Sequence, residues 1–170
     1  MEGLRGLGSR KGLIAAIVAL VAMALGAISA FGAAHDLDST FSSDGKQTVD
    51  FGDQDRATHV VPAPGDKVVL IGATDATGSG DFAVSRLNAD GTPDTTFSGD
   101  GRVNIDSTQA NSNDIGGGVV ALDDGKVVAA GRGNLSKDFL VAKLNADGTV
   151  DTSFIGGVSA TPGRSIVSFG

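Results

Sequence analysis

Two short acidic clusters, 57 residues apart, are the part of the sequence whose residue types could support chemistry. Each combines an Asn, an Asp-Gly pair and a second Asp within seven residues, and the carboxylates are Asp90, Asp94, Asp147 and Asp151. Hard cations take several oxygen ligands, so calcium binding is one interpretation. The full Asp-x-Asp-x-Asp-Gly loop with its closing Glu is missing, and turn chemistry alone explains these residues. We therefore expect architectural turns, with calcium as the alternative.

Groups suited to catalysis are sparse. His35 lies where the mature chain is expected to begin, and His59 has no counterpart in the repeat described below. The chain has no Cys, which excludes disulfides and thiolate metal sites. The Gly-x-Ser-x-Gly pattern of a nucleophile elbow does not occur after residue 34. We expect no catalytic residues, no cofactor and no enzymatic activity.

The charge balance argues against nucleic acid as a partner. The chain has a formal net charge of −7, and because residues 1–34 carry +2, the remainder is near −9. Such a domain repels phosphate backbones and anionic lipid. Gly is frequent, at 26 of 170 residues, which indicates many turns.

The N-terminal segment is typical of export. Arg5, Arg10 and Lys11 precede a stretch, residues 13–28, that is apolar throughout. A basic start, an apolar run and small residues predict a signal peptide over 1–34, cleaved before His35. The run also approaches the roughly 20 residues that span a bilayer, so an uncleaved signal anchor stays open. In both cases 35–170 are exported, to the bacterial surface or beyond, and membrane contact is confined to 13–34.

A tandem repeat organises the remainder. The string DFAVSRLNADGT at 81–92 recurs at 138–149 with nine of twelve positions identical. Three aspartates of a shared D-x-T/S-F motif lie 56 and 57 residues apart, namely Asp38, Asp94 and Asp151. We therefore divide the exported region, 35–170, into units at about 37–92 and 93–149 and a partial unit at 150–170.

Each unit carries four strand signals. In the first unit they are centred on 46–52, 57–62, 67–73 and 81–88. The run Val68–Ile71 is typical of a strand buried on both faces. The strand that follows has an apolar start and a basic end at Arg86, which predicts a strand running from core to rim.

Turn residues separate these strands. Gly65-Asp66 and the two Asn-Ala-Asp-Gly strings predict tight turns, because Asn and Asp bond their own backbone and Gly accepts positive φ. Asp94 is expected to cap a single turn at 94–97, with Phe97 packing inward.

Four short strands in 50-odd residues match the size of a β-propeller blade. The fold class is thus all-β, with tandem four-stranded blade-like units behind an apolar N-terminal helix. Two blades and a fragment leave sheet faces and edges uncovered. Three explanations are open, namely a fragment of a longer array, assembly of copies, or a short stack with ragged ends, and we favour the fragment.

The ordered motifs resemble the delta-60 repeat family. They are D-x-T/S-F-x-x-D-G-K/R, D-G-K-V-V-x-x-G and D-F-x-V-x-R/K-L-N-A-D-G-T, and they cover about 37–170. The resemblance implies a bacterial β-propeller, exported or at the surface, in long tandem arrays and without an established activity. This chain departs from the pattern in its few units, in Gly116–Gly118 standing at the place of Thr58–Val60, and in extra residues at 155–162.

The function expected from these observations is an exported, non-catalytic structural or protein-interaction module. Its partners would be further repeat units, copies of itself or other surface proteins. The alternative is a ligand-binding propeller domain that takes a glycan or calcium.

Overall fold

The computed structural model describes residues 36–76, 80–106, 113–133, 138–154 and 159–167. These residues form antiparallel strands and turns and contain no helix, which confirms the all-β class for this part of the chain. No helix able to cross a membrane occurs among them. The expected signal or anchor segment, 1–34, and His35 lie outside the described residues.

Nine described strands make two antiparallel sheets. The first sheet has the order β1-β2-β3-β4 and the second β5-β6-β7-β9-β8. The strands are β1 Asp55–Ala63, β2 Lys67–Thr74, β3 Asp81–Leu87, β4 Arg102–Ile105, β5 Ile115–Ala121, β6 Val127–Gly133, β7 Asp138–Leu144, β8 Ser159–Thr161 and β9 Arg164–Val167. The first sheet therefore takes β1 to β3 from the unit predicted at about 37–92 and β4 from the next one.

The hairpin between β1 and β2 shows how local chemistry sets the register. Gly65 and Asp66 both have positive φ, at 78° and 57°, in the short loop 64–66 that closes the hairpin. This turn brings Ala63 opposite Lys67 and Val61 opposite Val69. The predicted strands centred on 57–62, 67–73 and 81–88 are confirmed as β1, β2 and β3.

The strand predicted at 46–52 is wrong. Residues 46–51 run without strand pairing, although they match β4 in sequence. In the first sheet β4 pairs with β3, the strand that precedes it along the chain. No described strand precedes residues 46–51, so their backbone has no neighbour equivalent to β3 with which to form strand hydrogen bonds.

Strand β3 also differs from expectation at its basic end. Every residue of β3 is buried, and Arg86, predicted to reach the rim, is only 6% exposed. A buried guanidinium needs a partner with the opposite charge. Asp94 supplies it from the turn that follows.

The two sheets pack face to face around one hydrophobic core. Strand β5 lies mainly against β1 and β2 of the first sheet and less against β3. The buried core residues are Val69, Ile71, Phe82, Val84, Phe97, Ile105, Val119, Val127, Ala129, Leu140, Ala142 and Leu144. Burying a side chain such as Phe82 stabilises the fold by roughly 1.5–3 kcal/mol.

A β-bulge recurs at the same place in both sheets. It leaves Thr58 unpaired in β1 and Gly117 unpaired in β5. Because the two bulges are equivalent, Gly116–Gly118 match residues 57–59. The predicted match with Thr58–Val60 is therefore wrong by one residue. The Thr58 hydroxyl lies 3.1 Å from Ile71 O and 2.6 Å from Gly116 O, and so links the bulge to the neighbouring sheet.

The extra residues predicted at 155–162 include an additional edge strand. Residues 159–161 form β8, which pairs with β9 in antiparallel fashion. The second sheet is thus the equivalent of the four-stranded first sheet with one short strand added at its outer edge.

Candidate functional site

The D-x-T/S-F turn after β3 holds a buried carboxylate that is paired on both of its oxygens. Asp94 Oδ2 accepts from Arg86 Nε at 2.6 Å and from Lys67 Nζ at 2.7 Å. Its Oδ1 accepts from the backbone N and the hydroxyl of Thr96. Phe97 N donates to Asp94 O, and Phe97 is fully buried. The predicted capped turn at 94–97 is therefore confirmed.

The same network recurs one unit later. Asp151 Oδ2 lies 2.9 Å from Lys126 Nζ and 3.5 Å from Lys143 Nζ. Its Oδ1 accepts from the backbone N and the hydroxyl of Ser153. Lys126 and Lys143 stand where the first network has Lys67 and Arg86. Asp94 and Asp151, which the sequence predicted as turn residues with calcium binding as the alternative, thus also bind cationic side chains of their own sheet.

The electrostatic consequences follow from these contacts. Burial raises the pKa of Asp94, but the hydrogen bonds from Lys67, Thr96 and Arg86 outweigh it, so the pKa lies well below its usual range. The pKa of Asp151 is lowered in the same way by the hydrogen bonds from Ser153 and Lys126. The guanidinium of Arg86 also lies 4.5 Å from the centre of the Phe97 ring, a favourable cation–π geometry.

Asp38, the first member of the repeated set, is exposed. Its Oδ1 accepts from the backbone N and the hydroxyl of Thr40, and these bonds lower its pKa. The cations that pair with Asp94 come from β2 and β3 of the same sheet. Asp38 follows no described sheet, and no ion pair to it occurs among the described residues.

Asp90 and Asp147 are exposed turn residues. Each accepts with Oδ1 from the backbone N and the hydroxyl of the Thr two residues later, Thr92 or Thr149. The pKa of each is lowered by these hydrogen bonds, the one from the hydroxyl first. The bonds are those of an Asx turn, as the sequence predicted.

The two acidic turns of each predicted unit dock on one another. Ser98 N donates to Asp147 O at 2.7 Å, and Phe97 lies against Gly148. In the same way Ser42 N donates to Asp90 O at 2.6 Å, and Phe41 lies against Gly91. The D-x-T/S-F turn at the start of each predicted unit therefore seats on the Asn-Ala-Asp-Gly turn at the end of the same unit.

These contacts bear on the calcium prediction for Asp90, Asp94, Asp147 and Asp151. Oδ2 of Asp94 and of Asp151 is held by side-chain cations, which a calcium ion would have to displace. Calcium binding at these positions remains a prediction.

A second acidic cluster escaped the sequence reasoning. One carboxylate oxygen each from Asp81, Asp106 and Asp114 lies within 4.8 Å of the others, with Asp81 and Asp114 buried. One sequence signal for this cluster was available, because Asp81 recurs as Asp138 at the start of the repeated strings at 81–92 and 138–149. Oxygens so placed have the donor chemistry of a divalent cation site. All three residues also interact with other groups of the chain, so proximity alone does not define such a site.

Two sheet faces that point away from the core carry exposed apolar side chains among the described residues. One is an apolar groove of about 460 Å³ on the second sheet, lined in part by Ala130, Phe139 and Val141. The other is the surface of β1, where Val60 is 61% exposed. His59 is an exposed position on this strand. Neither face brings together a nucleophile, a base and an oxyanion donor among the described residues.

The fold and the repeated turns define an all-β protein built of propeller-like blades. The sequence model of a family described as "Domain of unknown function (DUF5122) beta-propeller" matches residues 66–97 and 122–154. These two stretches contain both hairpin turns after β3 and β7 and both D-x-T/S-F motifs. The chain is similar to this family there, which supports a β-propeller repeat, while the delta-60 assignment remains a prediction. No curated protein and no solved structure matches the chain.

Proposed function

We propose that the protein is an exported, non-catalytic module with a structural or protein-interaction role at the bacterial surface or outside the cell. The proposal rests on the contacts of the repeated carboxylates. Asp94 and Asp151 bind cationic side chains and turn hydroxyls of their own sheet. Their charge stabilises the blades instead of facing a substrate.

The exposed apolar side chains of the two sheet faces support the interaction part of the proposal. Exposed apolar surface on a folded domain is typical of a contact site. Phe139 and Val60 are large apolar side chains that remain more than half exposed. The acidic charge of the exported region, near −9, favours protein partners over nucleic acid or anionic lipid.

Export is tested by expressing the full chain in a bacterial host and separating the cell fractions. We expect the protein outside the cytoplasm, with a mature N-terminus at His35 if the signal is cleaved and at Met1 if it is retained as an anchor. A chain that stays in the cytoplasm at full length would contradict the proposal. Replacing Leu20 and Val21 with Arg should abolish export, because charges interrupt the apolar run.

The structural role is tested against ligand binding by calorimetry and thermal unfolding with added calcium. A structural module whose carboxylates are already paired should give no saturable heat and no shift of the melting temperature. A saturable response would favour the ligand-binding alternative; its loss in Asp90→Asn would place the ion at the repeated turns, and its loss in Asp81→Asn would place it at the second acidic cluster.

A further inference from the structure

A cavity of about 250 Å³ lies between the two sheets, where the hairpin of β1 and β2 faces the turns of the second sheet. Both sheets contribute residues to its wall, among them Lys67, Arg86 and Thr96 from the first and Ala121, Gly125 and Ala146 from the second. At about 30 Å³ for each water molecule, the cavity has room for roughly eight waters or one small organic molecule. Among the described residues, no acidic side chain lines it.

The two cations in the wall of this cavity have hydrogen-bond donors to spare. Arg86 is almost fully buried, and its side chain donates to Asp94, to Gly125 O and to the hydroxyl of Thr96. A guanidinium has five N–H groups, so two of them have no partner among the described residues. Lys67 Nζ donates to Asp94 Oδ2, and its other two N–H groups have no partner there either. The wall therefore offers donors that require an acceptor from outside the chain.

The charge of the wall is positive, although the domain as a whole is strongly acidic. Asp94 pairs with Lys67 and Arg86 but is not one of the residues that line the cavity. Two cations and one carboxylate leave a local net charge of +1. Because Arg86 is buried, its charge is poorly solvated and interacts strongly with an anion placed beside it.

We propose that this cavity binds a small organic carboxylate, which Arg86 and Lys67 hold between them. A monoanion matches the local charge of +1. The guanidinium presents parallel N–H groups that suit a planar carboxylate, and the ammonium group of Lys67 adds a point charge. The carboxylate could belong to an acidic sugar or to a peptide, and the experiment below separates these sources. The inference goes beyond the proposed function and does not depend on export.

The second sheet supplies a matched control for this site. Lys126 and Lys143 pair with Asp151 as Lys67 and Arg86 pair with Asp94. Neither of these lysines lines the cavity. A change at Lys126 therefore breaks an ion pair of the same kind without removing a donor from the proposed site.

The proposal is tested by calorimetry on the purified full-length protein, in a buffer free of carboxylate and phosphate. Three probes are titrated separately, namely sodium D-glucuronate, N-acetylglycine and inorganic phosphate. We expect saturable binding of at least one carboxylate at roughly millimolar concentration. Tighter binding of glucuronate would assign the site to an acidic sugar, and tighter binding of N-acetylglycine would assign it to a peptide. No saturable heat with either carboxylate, or tighter binding of phosphate than of both, would overturn the proposal.

Two glutamine variants locate the site. Lys67→Gln should weaken binding of the better carboxylate at least about tenfold, because it removes a charged hydrogen-bond donor. Lys126→Gln should leave the affinity within about twofold of the wild type, since charges outside the cavity are screened. Each variant leaves its aspartate one cation partner, Arg86 or Lys143, so both should stay folded. Equal losses in the two variants, or none in Lys67→Gln, would refute the assignment.

A carboxylate built into the wall gives an independent test. Ala146 is an exposed residue of the cavity wall, and Ala89 is its counterpart in the turn after β3, outside the wall. Ala146→Glu should weaken binding of the carboxylate probe at least about tenfold, because the new side chain competes from within the same molecule. Ala89→Glu adds the same charge and should leave binding unchanged. Both residues are exposed, so neither variant should alter the melting temperature. Equal affinities for the two variants would show that the ligand does not occupy this cavity.

Discussion

Phe97 packs on Gly148 so closely that a Cβ at Gly148 would lie 3.2 Å from two ring carbons and 2.8 Å from Ser98 N. Gly148 belongs to the turn after β7, whereas Phe97 belongs to the turn after β3. The contact therefore joins a turn of the first sheet to a turn of the second. Its counterpart is Phe41 against Gly91, where a Cβ would lie 3.0 Å from the ring.

Gly148→Ala should destabilise the protein more than Gly99→Ala does. Both glycines have positive φ, at 83° and 84°, so both substitutions incur the left-handed strain of about 1–2 kcal/mol. Gly148, unlike Gly99, also has no space for a Cβ, and overpacking there should increase the loss of unfolding free energy by about 1–3 kcal/mol. A Cβ at Gly99 meets nothing within 4 Å. Urea unfolding measures both free energies, and equal losses would show that the turn does not depend on close contact.

The Asp94 network should contribute far more to stability than the Asp38 turn. Asp94→Asn leaves Arg86 buried beside a neutral amide, and removing one partner of a buried ion pair costs about 3–5 kcal/mol. Asp38→Asn is the matched control, since Asp38 makes the same turn contacts but is exposed and has no cation partner among the described residues. Its unfolding curve should coincide with that of the wild type. Comparable losses in both variants would assign the stabilisation to the turn rather than to the ion pairs.

The pH dependence of stability should report the same network. The pKa of Asp94 is lowered in the folded state, so its contribution is fully present above the ordinary carboxyl pKa of about 4. It is lost as pH falls below that value, because the unfolded chain then binds a proton that the folded chain does not. The difference in unfolding free energy between wild type and Asp94→Asn should therefore shrink from pH 6 towards pH 3. A constant difference over that range would contradict the assignment.

The turns were predictable from sequence because their chemistry is local. Asp94, Thr96 and Phe97 contact one another within four residues, and the predicted cap needed no tertiary information. The burial of Arg86 was missed because its partner lies in the next turn, where periodicity along β3 gives no signal. The strand predicted at 46–52 failed for a similar reason, since a strand needs a neighbour and sequence similarity to β4 does not supply one.

The carboxylates of the second acidic cluster were missed for a topological reason. Asp81 begins β3, Asp106 follows β4 and Asp114 precedes β5, so their meeting depends on how the two sheets are joined. Their repeat counterparts were visible in the sequence as Asp138, Asp50 and Asp55. The spacing of the three aspartates along the chain does not by itself predict that their carboxylates lie close together.

The pairing of Ile71 with Gly116 gives the sharpest test of the joint between the sheets. Gly116→Ala should cost about 1–3 kcal/mol, because the new methyl overlaps Ile71. Gly118→Ala on the same strand meets nothing within 4 Å and should be neutral or slightly stabilising. Ile71→Ala removes the side-chain atoms that the new methyl of Gly116→Ala overlaps. The loss of the double variant in urea unfolding should therefore be smaller than the sum of the two single losses, by about 1 kcal/mol or more. Strict additivity would mean that the two positions do not share the same space.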